Sequence, residues 1–215
     1  LRVGVFSILI GLFIGGTLGL MAGYFKGWVD SVINVMLDIL LSFPALIIAI
    51  LVVGRLDVVS TPEPNGWGWT WLTRSWSVTI VLSLLAIAPI ARIVRAQTLS
   101  LSQRDFVLAA RSLGAKGGRI IVREILPNLV PAMVSVAFTG VDVLLVAEGG
   151  LAFLGYSIES PFASWGKMVN ENRERLDEFW WATIFPALML FATVLAFNVI
   201  GDRFARRFDI REAAL

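Results

Sequence analysis

Five apolar stretches, each close to the length that crosses a lipid bilayer, dominate the 215-residue chain. They cover about residues 3–24, 29–53, 76–98, 129–147 and 181–200, and polar or glycine- and proline-containing segments separate them. About 20 apolar residues are needed for a helix to span the hydrocarbon core of a bilayer. The apolar share of 57% also exceeds the share of roughly half that is usual in soluble domains. We therefore predict an all-α, polytopic membrane helix bundle in which residues 1–215 form one domain.

Glycines recur every four residues through the first stretch, at Gly11, Gly15, Gly19, Gly23 and Gly27. Residues four apart share one face of a helix, and a face without side chains lets another helix approach closely. The stripe therefore predicts tight helix packing, either within this bundle or against a partner subunit.

Asp38, Asp142 and Pro44 stand inside the predicted spans. Pro44 removes a backbone hydrogen bond from the second stretch, so a kink is expected there. Asp38 and Asp142 are costly charges in a membrane span, which makes both of them candidates for a translocation path. Asp38 has a simpler alternative role, in which it caps its helix or pairs with a cation near the cytoplasmic end.

Basic residues cluster between the third and fourth stretches and again near the C-terminal end of the chain. The two intervening spans place both clusters on one side of the membrane, and the positive-inside rule assigns that side to the cytoplasm. The acidic segment 148–180 and the segment 54–75 are then external. Residue 1 also falls outside, so we expect one further span before it. The external segment 54–75 carries predicted interfacial anchors at Trp67, Trp69 and Trp71, with Trp76 just beyond it. A stacking site for a ligand is the less favoured alternative.

The segment 104–127, RDFVLAARSLGAKGGRIIVREILP, is the longest polar and basic interval between two apolar stretches. It predicts two short helices joined around Gly114. An amphipathic helix at this place either rests on lipid or is gripped by another protein. The apolar stripe that makes it amphipathic consists of Phe106, Val107, Ala110 and Leu113.

The chain contains neither cysteine nor histidine. Disulfides, thiol catalysis and zinc–thiolate sites are therefore excluded, and the commonest general base is missing. The GAKGGR sequence at 114–119 lacks the second glycine and the Gly-Lys-Ser/Thr of a phosphate-binding loop. The sequence shows no loop signature of a metal site built from carboxylates alone. The basic segment has a predicted span on either side, which makes nucleic-acid binding a poor interpretation of its arginines. A conduit fits better than an enzyme, and any energy source for transport must lie in another protein.

The segment 104–127 resembles the EAA motif of the membrane subunits of binding-protein-dependent ABC importers. The family spacing is kept at Ala109, Ala110, Gly114, Leu126 and Pro127. Leu108 replaces the glutamate of the motif, and Glu124 stands where isoleucine is usual. The version FVLAARSLGAKGGRIIVREILPN is similar to that of the peptide/nickel branch, as are residues 22–50, 151–169 and 197–209. These blocks cover nearly the whole chain, which thus resembles the C-type permease subunit of dipeptide and oligopeptide importers.

The resemblance implies the type I ABC importer permease fold, in which the helix ending near Gly114 couples the chain to a cytoplasmic ATPase. Small alanines permit close docking, Gly114 readily takes the left-handed conformation that ends a helix, and Arg111 can bond carbonyls or carboxylates. The residues implied in coupling are Phe106, Ala109, Ala110, Arg111, Gly114 and Pro127. The external residues Ser164, Trp165 and Gly166 are implied in contact with a solute-binding protein, with an interfacial re-entrant segment as the alternative.

The implied function is ATP-driven import of short peptides across a bacterial plasma (inner) membrane. The implied partners are a homologous second permease subunit, two cytoplasmic ATPase domains that bind ATP and Mg²⁺, an external solute-binding protein and membrane lipid. No cofactor is expected in this chain. Two alternatives stay open: an ion-coupled secondary transporter or channel with Asp38 and Asp142 as its relay, and a non-transporting membrane scaffold.

Overall fold

The computed structural model describes residues 1–60, 74–156, 158 and 162–212, and these residues form helices and connecting turns without any β-strand. A π-helix, Ile121–Ile125, joins α6 to α7, and a 3-10 helix, Arg173–Arg175, joins α8 to α9. The all-α prediction is confirmed. The α-helices are α1 (Arg2–Phe25), α2 (Gly27–Ser42), α3 (Ala45–Ser60), α4 (Arg74–Leu101), α5 (Asp105–Ser112), α6 (Gly117–Ile120), α7 (Leu126–Phe153), α8 (Trp165–Asn172) and α9 (Leu176–Glu212).

Among the described residues, four helical stretches are long and apolar enough to cross a membrane. They are Arg2–Phe25, Ser75–Leu101, Gly117–Phe153 and Trp165–Arg206, and α2 with α3 makes a fifth if the bent pair counts as one span. Each of the five predicted apolar stretches falls within one of these, which confirms the predicted spans. Of the predicted tryptophan anchors, Trp67, Trp69 and Trp71 lie outside the described residues, whereas Trp76 lies near the start of α4 and is exposed.

The kink predicted at Pro44 is confirmed, and it takes the form of a sharp break between two helices. Helices α2 and α3 meet at 83°. Phe43 has an extended backbone, with φ −95° and ψ 139°, as expected for a residue that precedes a proline. Pro44 has no N–H to continue α2, and its carbonyl instead begins α3 by accepting hydrogen bonds from Ile47 and Ile48.

The glycine stripe of α1 packs against α4. A Cβ atom built at Gly15 would lie 2.6 Å from the carbonyl oxygen of Ile87, and one at Gly23 would lie 2.7 Å from Cβ of Thr98. Because larger side chains do not fit between backbones this close, the stripe serves packing within the chain, the first of its two predicted roles. Gly27 is the exception, since it takes φ +57° at the start of α2.

Helices α7 and α9 pack against each other in opposite directions. Gly201 of α9 faces Phe138 of α7, whereas Leu190, earlier in α9, lies near Gly149, later in α7. Phe179, with φ −135° and ψ 54°, interrupts α9 just before the predicted span. The C-terminal end of α9 therefore lies at the same end of the bundle as the basic segment that precedes α7, as the charge pattern predicts.

The segment that follows α4 is seated on the bundle by buried apolar side chains. The main buried cluster combines residues of α1, α3, α4 and α7 with Val107 of α5, Ile120 of α6 and Ile125 of the π-helix. This cluster holds the α5–α6 hairpin, defined as residues 105–120, against the end of the membrane helices.

Candidate functional site

Helix α5 has its ends defined by local backbone geometry. Arg104 precedes it in an extended conformation, and Asp105 in its first turn and Arg111 in its last turn both suit the helix dipole. At its C-terminal end the Leu113 N–H donates to the carbonyl of Ala109 at 3.0 Å. Gly114 follows at φ +79°. The predicted chain reversal at Gly114 is thus confirmed, because the left-handed conformation costs glycine little.

One face of α5 points into the bundle. Within α5, all of whose residues are described, Val107 alone is fully buried. Ala110 is half-buried and packs against the same core cluster as Ala115. The sequence predicts that both Ala109 and Ala110 leave room for a partner, but the structure uses Ala110 to seat the helix and exposes only Ala109.

Outside the buried Val107 and the half-buried Ala110, α5 and the following Leu113 form an exposed surface that also includes the polar Asp105 and Ser112. Its large side chains are exposed to very different degrees: 37% for Phe106, 48% for Leu108 and 87% for Leu113. We call these residues, together with the exposed Ala109, the α5 surface. Exposed contiguous apolar groups of this kind mark sites where a protein or a membrane binds.

Exposed basic side chains lie in and beside the hairpin. They are Arg104, Arg111, Lys116, Arg119 and Arg123, against one exposed carboxylate within the hairpin, that of Asp105. Together they give the hairpin an electrostatic preference for an acidic partner. Pro127 is also exposed, but it lies on another element, in the first turn of α7 directly after the π-helix. The structure therefore brings Phe106, Ala109 and Gly114 together in the hairpin and leaves Pro127 apart from them.

Arg111 has a partner within its own chain. Its guanidinium carbon lies 5.8 Å from the ring centroid of Tyr24, near the end of α1, a geometry that allows a cation–π interaction. Arg111 is exposed, so the predicted contact with an ATPase stays a prediction. Tyr24 was not predicted as a functional residue, because in the sequence it is simply the last residue of the first apolar stretch.

Two ion pairs tie α2 to α4. Asp38 binds Arg92 through Oδ1 at 2.5 Å, with side chains that are 62% and 50% exposed, so its predicted pairing with a cation is confirmed. Asp30 accepts from both Nε and Nη2 of Arg95, with Nη2 at 2.6 Å, and this bidentate pair is only 20% and 31% exposed. Asp30 was not predicted as a site residue, although a carboxylate in the first turn of α2 and an arginine near the end of α4 could have indicated this ion pair.

Asp142 is buried and has a partner on α9. The amide of Asn198 donates to its Oδ2 at 3.0 Å, and the backbone N–H of Val143 donates to its Oδ1 at 2.8 Å. Asp38 and Asp142 thus have separate partners in the structure. Nothing in their contacts joins them into a relay.

The predicted binding-protein contact lies on α8, which packs back on α7 and α9. The Ser164 hydroxyl accepts from the Lys167 N–H at 3.1 Å and so caps the helix. Gly166 is buried, since its Cβ would lie 2.7 Å from Cα of Gly149. Gly166 therefore serves packing, whereas contact with a partner stays a prediction for Ser164 and the half-buried Trp165.

The sequence of the chain is similar to those of known transport permease proteins. The chain is 37% identical to the glutathione transport system permease protein GsiD of Pectobacterium atrosepticum over 202 residues. It is also 37% identical to the dipeptide transport system permease protein DppC of Bacillus subtilis over 203 residues. Both matches cover 94% of this chain but only 62% and 59% of the relatives, so the chain spans about three fifths of their length.

Solved structures share the fold at low sequence identity. The MetNI methionine ABC transporter in an inward-facing conformation matches with a TM-score of 0.75 at 17% identity, over 96% of this chain and 91% of that one. An amino acid ABC transporter matches with a TM-score of 0.69 at 19% identity, over 96% and 89% of the two chains. These likenesses establish the type I ABC importer permease fold. Residues 15–212, most of the chain, match one family model. The chain belongs to the family of binding-protein-dependent transport system inner membrane components.

Proposed function

We propose that this chain is the permease subunit of an ATP-driven importer for short peptides, that it forms half of the translocation path, and that its α5 surface docks on an ATPase subunit. The family name supports a transport role that depends on a binding protein. The names of the relatives support the substrate class, since they refer to glutathione, a tripeptide, and to dipeptides.

The observation that carries the docking proposal is the exposure of the α5 surface. Leu113 leaves 87% of its surface uncovered on a segment outside the membrane helices. Burying a leucine side chain is worth about 1.5–3 kcal/mol, so a partner that covers Leu113, Leu108 and Phe106 gains substantial affinity. The arginines and lysine in and beside the hairpin favour a protein cleft with carboxylates at its rim.

The partners follow from the same proposal. A second, homologous permease subunit completes the path, two cytoplasmic ATPase domains bind ATP and Mg²⁺, and an external solute-binding protein delivers the peptide. The chain itself is a transport subunit without enzymatic activity or cofactor. Segment 104–127 is the coupling segment and 148–180 the external one, where Ser164 and Trp165 are the proposed contacts of the binding protein.

The exposed side of α2 and α3 is the proposed wall of the translocation path. Asp38 lies on it, with its side chain 62% exposed. Asp142 is buried against α9, and its proposed effect on the path is indirect, through the alignment of α7 and α9. Several apolar side chains of α2 and α3 are more than half exposed and would meet the second subunit or lipid: Trp28, Val32, Val35, Met36, Ile39 and Ile47.

Reconstitution of the complete complex in proteoliposomes tests the proposal. The chain, its second permease, the ATPase subunits and the binding protein are assembled, and uptake of a labelled dipeptide and of labelled glutathione is measured. We expect uptake that requires ATP, the binding protein and this chain, and that persists when an ionophore abolishes the membrane potential. Uptake without ATP that the ionophore abolishes would refute the proposal and favour an ion-coupled carrier.

A further inference from the structure

Tyr24 lies close to both arms of the α5–α6 hairpin. On one arm, the guanidinium of Arg111 lies 5.8 Å from the Tyr24 ring centroid. On the other, a Cβ atom built at Gly117 would lie 3.2 Å from the Tyr24 hydroxyl oxygen. The ring of Phe25 packs edge-on against Tyr24, with the centroids 5.3 Å apart. The tyrosine ring thus sits at the junction between the hairpin and α1.

We propose that Tyr24 is a positioning residue that transmits movement of the α5–α6 hairpin to the membrane helices, an inference that rests on the proposed docking of α5. When an ATPase subunit moves the α5 surface, Arg111 and Gly117 press on the ring of Tyr24. The ring then carries the displacement into the end of α1. Tyr24 itself needs no contact with the ATPase or with the transported peptide.

The packing of α1 explains how a displacement of its end reaches other membrane helices. The backbones of α1 and α4 touch along the glycine stripe, from Gly11 against Ala86 to Gly23 against Thr98. Close-packed interfaces of this kind have low compressibility and transmit strain. Helices α1 and α4 therefore move together, and Arg95 of α4 extends the unit to Asp30 of α2.

Two adjacent glycines of α6 offer a matched pair of variants. A Cβ at Gly117 meets the Tyr24 ring and hydroxyl, whereas no described atom lies within 4 Å of a Cβ at Gly118. Both glycines stand in the first turn of the same short helix, so the change in helix propensity is the same for both. Gly117→Leu displaces Tyr24, and Gly118→Leu leaves it in place.

The decisive quantity is the number of peptides imported per ATP hydrolysed, measured in proteoliposomes that contain the whole transporter. We expect Gly117→Leu and Tyr24→Ala to lower this ratio by about threefold or more, since residues that couple distant sites have effects of this size. Gly118→Leu should leave the ratio unchanged. Tyr24→Phe should also preserve it, because the phenyl ring keeps its contact with Arg111. Met21→Ala, an exposed position one turn earlier in α1, is the control for any change in this part of the helix.

Copurification of the ATPase with each variant separates the possible outcomes. If the unmodified chain neither retains the ATPase nor imports peptide with ATP, the proposed function fails, and the role of Tyr24 fails with it. If the unmodified complex works and Gly117→Leu and Gly118→Leu give equal ratios, the role of Tyr24 is overturned while the proposed function stands. Should Tyr24→Ala not assemble, the two glycine variants and Tyr24→Phe still decide.

Discussion

Replacing Gly15 by alanine should force α1 and α4 apart. The new Cβ would stand 2.6 Å from the carbonyl oxygen of Ile87 and 3.3 Å from the amide nitrogen of Ala91. Both atoms belong to the backbone of α4, so neither can rotate away. The helices must separate locally by about 0.8 Å, the difference between 2.6 Å and the 3.4 Å at which ordinary contact begins.

The cost of this separation follows from the contacts along the stripe. A gap of about 0.5–1 Å forfeits a quarter to a half of the dispersion attraction between facing atoms. Gly11, Gly19 and Gly23 make similarly close approaches to α4, so the loss extends along the interface. Overpacking of this kind costs about 1–3 kcal/mol, and for a chain of this size about 2 kcal/mol lowers Tm by about 4–8 °C.

Gly16→Ala is the matched control, one residue along the same helix. Its Cβ meets only the terminal methyl of Met133, at 2.6 Å, and this methyl can rotate away for less than about 1 kcal/mol. Thermal unfolding of the two variants in detergent, followed by the fluorescence of the chain's 8 tryptophans, measures the difference. Equal Tm values for both variants would refute the packing argument.

Three further predictions concern the hairpin and the ion pairs. Leu113→Ser should weaken the affinity of the purified ATPase about tenfold or more without changing Tm, because Leu113 is 87% exposed; unchanged affinity in a titration would remove Leu113 from the docking surface. Gly114→Ala should lower the free energy of unfolding by about 1 kcal/mol, because alanine is strained at a φ of +79°. A Tm equal to that of the unmodified chain would argue against a left-handed conformation at residue 114. Asp30→Asn should cost about 1 kcal/mol or more, because Arg95 loses a bidentate partner. Asp38→Asn should lower the free energy of unfolding less than Asp30→Asn does, because the ion pair of Asp38 is largely exposed. The opposite order in unfolding experiments would contradict this ranking of the two ion pairs.

Much of the fold could be predicted from the sequence, because length and polarity alone decide which segments cross a membrane. Each predicted span falls within a helix or the broken α2–α3 pair, and the reversal at Gly114 follows from the one residue type that takes φ +79° without strain. Family membership confirms the predicted multi-pass location in a bacterial inner membrane. The sharpness of the break at Pro44 was not predictable, since a proline signals only that a helix cannot continue undisturbed.

Contacts between distant residues could not be read from the sequence. Periodicity shows which face of α1 is small but not which helix lies opposite, so the choice between a partner subunit and α4 needed the structure. Asn198 stands 56 residues from Asp142, and nothing in the pattern joins them. Arg111 was predicted to reach outward, and only the folded chain shows that Tyr24 occupies one side of its guanidinium.

Contact between the α5 surface and an ATPase subunit can be tested by site-directed cross-linking. The chain has no cysteine, so a single introduced cysteine reports on one position only. In the assembled complex, Leu113→Cys should form a covalent adduct with the ATPase through a short bifunctional reagent. Met168→Cys, which lies on α8 in the predicted external segment and is 41% exposed, should form none. An ATP-hydrolysing complex in which Leu113→Cys gives no ATPase adduct, or no more than Met168→Cys, would show that the α5 surface does not dock on the ATPase.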